Sequence, residues 1–291
     1  VTMFEKLQQA ARLNDNGSFP YLRSHPMTTE RISDAQARQQ LLPARAPVAT
    51  TPTHAMMSAR AQVLAKPGVD GLRSLAAQAN ATSLAAVNPA KQAGLLYGAV
   101  MSEMQQRNFP AARQHLARLQ SMNGLELSAT RLVRLLSAEI ALSAGDAPQA
   151  VALLEPKATV ITNHDRATRM QLAQSRVATR KPAQAKLAAG ELSLWLNLHP
   201  RDASAWLLQA SAYELLGDGL RSIRAQAEAR AMELDYGAAV DRFKAAQILA
   251  HQMASEGKLD RAGHMEASII DARLRELERL RREQALERSI N

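Results

Sequence analysis

A histidine ahead of a proline and an arginine six residues later, His25 and Arg31 in FPYLRSHPMTTERI (19–32), are the side chains of this 291-residue sequence best suited to chemistry. An imidazole titrates near neutrality and a guanidinium stays charged, which makes both residue types usable in polar chemistry; their spacing alone assigns them no role. The other histidines, His54, His115, His164, His199, His251 and His264, offer less. No pair has HExxH spacing, and none has a carboxylate placed to complete a metal site on one helix face. His115, His251 and His264 fall on expected helices and read as surface or groove residues; His199, before Pro200, reads as a helix C-terminal histidine. Cysteine is absent, which removes disulfides and thiolate metal sites. There is no Gly-rich phosphate loop and no G-x-S-x-G turn, so the chain alone is expected to be catalytically inactive.

Charge and composition narrow the partners. The net charge of +9 raises nucleic acid, but the arginines are interleaved with Glu and Asp along the chain. Aromatic residues make up only 3%, a poor supply of stacking platforms for single strands, so specific nucleic-acid binding is not expected. No run of about 18 apolar residues exists, so no transmembrane segment is expected. The start, VTMFEKLQQA, has no basic region leading into an apolar core. It reads as an amphipathic helix with Met3, Phe4, Leu7 and Ala11 on one face, and the expectation is a chain that starts inside a larger protein.

The elements that must position these residues are helices. Ala, Leu, Arg, Gln and Met dominate, β-branched residues are sparse, and nothing alternates at period two for long, which predicts an all-α protein. LLPARAPVATTPTHA (41–55) carries three prolines and reads as a linker. It separates residues 1–40 from a repeat domain over 55–291, with the linker itself at 41–54. In that domain RNFPAARQHL (107–116), AGDAPQAVALL (144–154), TRKPAQAKLAA (179–189) and LGDGLRSIRAQ (216–226) each place a small residue just after a tight turn. These are Ala112, Ala150, Ala185 and Ser222, at steps of 38, 35 and 37 residues. A period of this size marks stacked helical hairpins of tetratricopeptide type. PRDASAWLLQASAYELLGD (200–218) fits best, with Trp206 and Tyr213 as core residues around the small Ala210. Ala138 and Ala173 hold the same small position in two other hairpins. A concave groove lined by the first helix of each pair would present Tyr97, Met101 and Met104, then Glu139, then Met170 and Gln174, and finally Leu207, Ser211 and Glu214. The last helix should close the array with an apolar stripe at Ile270, Leu274 and Leu277, its outer face pairing Asp271 with Arg275 and Glu278 with Arg282.

The opening stretch and the repeats also carry a family resemblance. A helix over 3–13, a polar turn NDNGS and then FPYLRSHPMTTERI resembles the C-terminal end of the catalytic domain in HExxH zinc metallopeptidases of the CAAX-prenyl-protease-like superfamily. The resemblance is to the bacterial branch that joins such a peptidase to tetratricopeptide repeats, the periplasmic β-barrel assembly-enhancing protease family. HAMMSARAQVLA (54–65) and LDYGAAVDRFKAAQ (234–247) are similar to that branch as well. The resemblance implies that residues 1–40 end a peptidase domain and that the intact protein holds zinc. It implies that His25 and Arg31 are auxiliary groups at the active-site cleft, with His25 able to contact the zinc. The two zinc histidines, the general-base glutamate and the third, glutamate ligand have no counterpart here and would lie upstream of Val1. It further implies a periplasmic location, with unfolded or assembling proteins, or the outer-membrane assembly machinery, as partners. The other reading is a free-standing tetratricopeptide-repeat scaffold with no enzymatic activity.

Overall fold

A computed structural model of the protein describes residues 33–35, 37–38, 49–65, 68–80, 87–155 and 165–290. The chain divides into two units, Val1–Ala49 and Thr50–Asn291. In the first, residues 33–35 and 37–38 are helical, and Arg38 pairs with Asp34 at 2.8 Å. His25 and Arg31 lie outside the described residues.

The second unit is all-helical, with no strand among its described residues. It opens with α1 (Pro52–Leu64) and α2 (Val69–Gln78). Five pairs follow: α3 (Pro89–Gln105) with α4 (Phe109–Gln120), α5 (Leu127–Ser143) with α6 (Ala147–Leu154), α7 (Arg166–Ala178) with α8 (Pro182–Leu198), α9 (Ala203–Leu215) with α10 (Gly219–Met232), and α11 (Tyr236–Ser255) with α12 (Arg261–Ile290). The starts follow from local chemistry. Thr51, Asn88, Asp146, Asp165, Asp202, Asp218 and Asp235 each cap a helix by accepting a backbone N–H, and Pro52, Pro89, Pro148 and Pro182 occupy first-turn positions where no N–H is needed.

Each first helix packs on its own second helix, and each second helix packs on the next first helix. First helices also touch their successors, α3 to α5, α5 to α7 and α7 to α9. The small positions read from the repeat are what permit this approach. Ala112, Ala150 and Ala185 are fully buried, Ser222 nearly so, and Ala138, Ala173 and Ala210 are buried against them. Ser222 keeps its hydroxyl satisfied by donating to the Ala210 carbonyl at 3.0 Å.

Several details depart from the sequence reading. Residues 52–54, taken as linker, belong to α1, because a proline after a threonine cap starts a helix as readily as it breaks one. In α12 the stripe Ile270, Leu274 and Leu277 is buried as expected. The acids on its flank, however, bond to α11: Asp271 accepts from Gln247 Nε2 at 2.8 Å, and Glu278 pairs with Lys244 at 3.4 Å. Neighbouring helices thus outcompete the expected pairs within α12. His115, expected as a surface or groove residue, is buried in α4, where desolvation and then the nearby Arg118 charge lower its pKa.

Candidate protein-binding face

The repeat register places equivalent residues of the first helices on one line. Val100, Ala138, Ala173 and Ala210 stand twelve residues before the buried small residue of each second helix, and the next positions are Met101, Glu139, Gln174 and Ser211. One turn earlier come Tyr97, Leu135, Met170 and Leu207. These two rows contain most of the residues that the sequence assigns to a groove.

The start of the face is already covered. Helix α1 packs along α3 and also reaches α5. Gly94 and Gly98 make the approach possible, since an added Cβ at Gly94 would stand 2.9 Å from the Ala55 carbonyl oxygen and one at Gly98 would stand 3.3 Å from the Ala59 Cβ. Met56 and Val63 of α1 are fully buried in one core cluster with Tyr97, Met101, Leu136 and Ile140. At the polar centre, Arg60 Nη1 donates to Tyr97 Oη at 3.1 Å and to Glu139 Oε2 at 3.0 Å, while Nη2 donates to Glu139 Oε1 at 2.8 Å. This forked pair to Glu139 raises the Arg60 pKa; burial pushes the Tyr97 hydroxyl up, partly opposed by the Arg60 charge. At the start of α1 the Thr53 N–H donates to Glu126 Oε1 at 3.0 Å, and the Thr53 and Ser128 hydroxyls are 2.8 Å apart. Hydrogen bonds from the Thr53 hydroxyl and the Thr53 N–H hold the Glu126 carboxyl below the usual range.

The groove assignment is therefore corrected for the first two hairpins. Tyr97 and Met101 are buried, Met104 is half-buried against the same core, and Glu139 is committed to Arg60. The signal for this was GLLYG (94–98), two glycines one turn apart in a helix with no turn to explain them.

Beyond α5 no described helix covers the face. Gln174 and Glu214 are exposed, Leu207 is 45% exposed, and Met170 is half-buried. Ser211 is half-buried and donates to the Leu207 carbonyl of its own helix at 3.2 Å. Arginine–aspartate links fix the spacing of the helices beneath. Arg131 of α5 donates to Asp165, the cap of α7, at 2.6 Å. Arg166 of α7 donates through Nε and Nη2 to both oxygens of Asp202, the cap of α9, each at 2.7 Å. Asp202 also accepts the Trp195 indole N–H at 3.0 Å. Arg166 is the main reason that its carboxyl lies below the usual range; for Asp165, burial is outweighed by the Thr168 N–H and Arg131. Between α5 and α7, Gln171 Nε2 donates to the Leu135 carbonyl at 2.8 Å.

Trp206 and Tyr213 belong to the repeat core only in part. Both are half-buried; the Trp206 N–H donates to the Pro200 carbonyl at 2.9 Å, and the Arg224 guanidinium lies 5.5 Å from the ring centroid. Among the described residues no group of three or more His, Asp or Glu side chains is placed to hold a metal ion. None of the described helices is long and apolar enough to cross a membrane. No protein-family model matches the chain, and no curated protein matches it.

Proposed function

We propose that this chain is the repeat region of a zinc-dependent metalloendopeptidase of the bacterial envelope, and that the open face of α7 and α9 holds unfolded or assembling proteins for proteolytic quality control. The peptidase part of this reading is supported by the resemblance of FPYLRSHPMTTERI and of the two repeat stretches to that family. No catalytic step is assigned to the described residues, among which no group of three or more His, Asp or Glu side chains is placed to hold a metal ion. Their part is capture, which raises the concentration of substrate near a linked catalytic domain.

The observation that carries the binding role is the seat of α1. One stretch of the first-helix face holds a helix through Tyr97, Met101 and Glu139, and the same register rows continue through the half-buried Met170 and the exposed Gln174 and Leu207 with no helix seated on them among the described residues. A face that packs a helix in cis has the shape and mixed polarity to accept a protein segment in trans. The test is the affinity of the chain for a urea-unfolded outer-membrane β-barrel protein diluted from denaturant. Leu207→Glu combined with Met170→Glu is expected to weaken it at least tenfold, about 1.4 kcal/mol, with the far-UV circular dichroism unchanged. Unaltered affinity refutes the assignment of the face. Stoichiometric zinc in the full-length gene product distinguishes the peptidase from a free-standing scaffold.

A further inference from the structure

Trp206 holds a core position in the repeat, yet it is only half-buried and borders a cleft of about 690 Å³ lined by α8, α9, α10 and α12. That volume lies within the range of small-ligand sites. The apolar walls are Trp206, Tyr213, Leu196, Met232 and Ile269. Of the charged groups in the lining, Arg224 is paired with Glu266, and Arg273 makes a forked pair with Glu228 at 2.8 and 2.6 Å. Arg201 is exposed, borders the cleft and has no acidic partner among the described residues. The cleft therefore offers an apolar volume with one uncompensated positive charge.

An apolar side chain and a carboxylate occur together on a single Cα in the last residue of a polypeptide.

We propose that this cleft binds the C terminus of a protein chain that ends in a large apolar residue. The side chain lies against Trp206 and Tyr213, and the terminal carboxylate pairs with Arg201. This site is lined by α8, α10 and α12 together with α9, and it stands whether or not the open face of α7 and α9 captures unfolded protein.

Fluorescence anisotropy of a labelled Gly-Ser-Gly-Phe peptide tests it. The free acid is expected to bind saturably and the C-terminal amide about ten- to a hundredfold more weakly, the range of one charge-assisted hydrogen bond. In Arg201→Gln, a change at an exposed site, the difference between acid and amide should vanish; Arg201→Lys should keep part of it. Absence of saturable binding, equal binding of acid and amide, or an acid preference that survives Arg201→Gln overturns the proposal. So does an amidated peptide with an internal Phe-Glu pair that binds as well as the free acid, because it moves the carboxylate from a chain end to a side chain.

Discussion

At Arg107, Gly145, Gly217, Leu234 and Gly257 the backbone turns into the left-handed region, and the next N–H donates to the carbonyl five residues back. This closure stops one helix cleanly and aims the next one back along it. Glycine adopts that conformation without cost, whereas Leu234 holds it at φ 62° against steric strain. Leu234 is also 61% exposed, so little packing would be lost on its removal. Leu234→Gly is thus expected to raise stability by about 0.5–1 kcal/mol, and Gly145→Ala to lower it by about 1 kcal/mol, both readable by urea unfolding. Asp202 is the opposite case, a residue on which three helices depend. Its side chain caps α9, ties down α7 through Arg166 and holds the Trp195 indole of α8. Asp202→Ala should cost about 2–4 kcal/mol, combining a lost cap with a lost charged hydrogen bond. Because the folded carboxyl titrates below its unfolded value of about 3.9, its contribution is full above that value and is lost as pH falls through the folded pKa. Acid unfolding of Asp202→Asn should accordingly show a shallower loss of stability below about pH 4 than wild type.

At the scale of elements, α1 determines which part of the repeat face is free. It is held by close backbone approach at Gly94 and Gly98, by the buried Met56 and Val63, and by Arg60 with Glu139. Gly94→Ala would improve the intrinsic helicity of α3 by up to about 1 kcal/mol, yet it sets a methyl group against the Ala55 backbone. Net destabilisation of about 1–3 kcal/mol is expected by thermal or urea unfolding; a stabilised variant would mean that α1 is not seated there. The helices themselves were legible, since their starts are written in Asp, Asn, Thr and Pro and their small contact positions recur with the repeat. The position of α1 was not legible. Its pattern of apolar residues is shallow, with Met57 and Leu64 exposed beside buried Met56 and Val63, so no amphipathic stripe announces which surface it covers. The paired glycines of its partner were the only trace. The flank of α12 was misread for a related reason: spacing identifies partners within a helix and is silent on a neighbouring helix that offers better ones.

Across the second unit, Thr50–Asn291, stacked hairpins bury their small residues in register and leave successive first helices to present one face. The period in the sequence was enough to predict this stacking, because every hairpin must solve the same packing problem against its neighbour. Which residues of that face stay open depended on long-range packing, and so Tyr97, Met101 and Glu139 turned out to hold α1 while Gln174, Leu207 and Glu214 remain exposed. The chain has no cysteine, which makes the binding face directly testable by single introduced thiols. Variants Gln174→Cys, Leu207→Cys and Glu214→Cys, together with Lys186→Cys on the exposed surface of the second helix α8, can each carry a short photo-crosslinker in the presence of an unfolded outer-membrane β-barrel protein. Strong crosslinks from positions 174, 207 and 214 and weak ones from position 186 are the predicted result. Equal yields at all four positions, or a maximum at 186, would contradict the assignment of the first-helix face as the surface that captures protein.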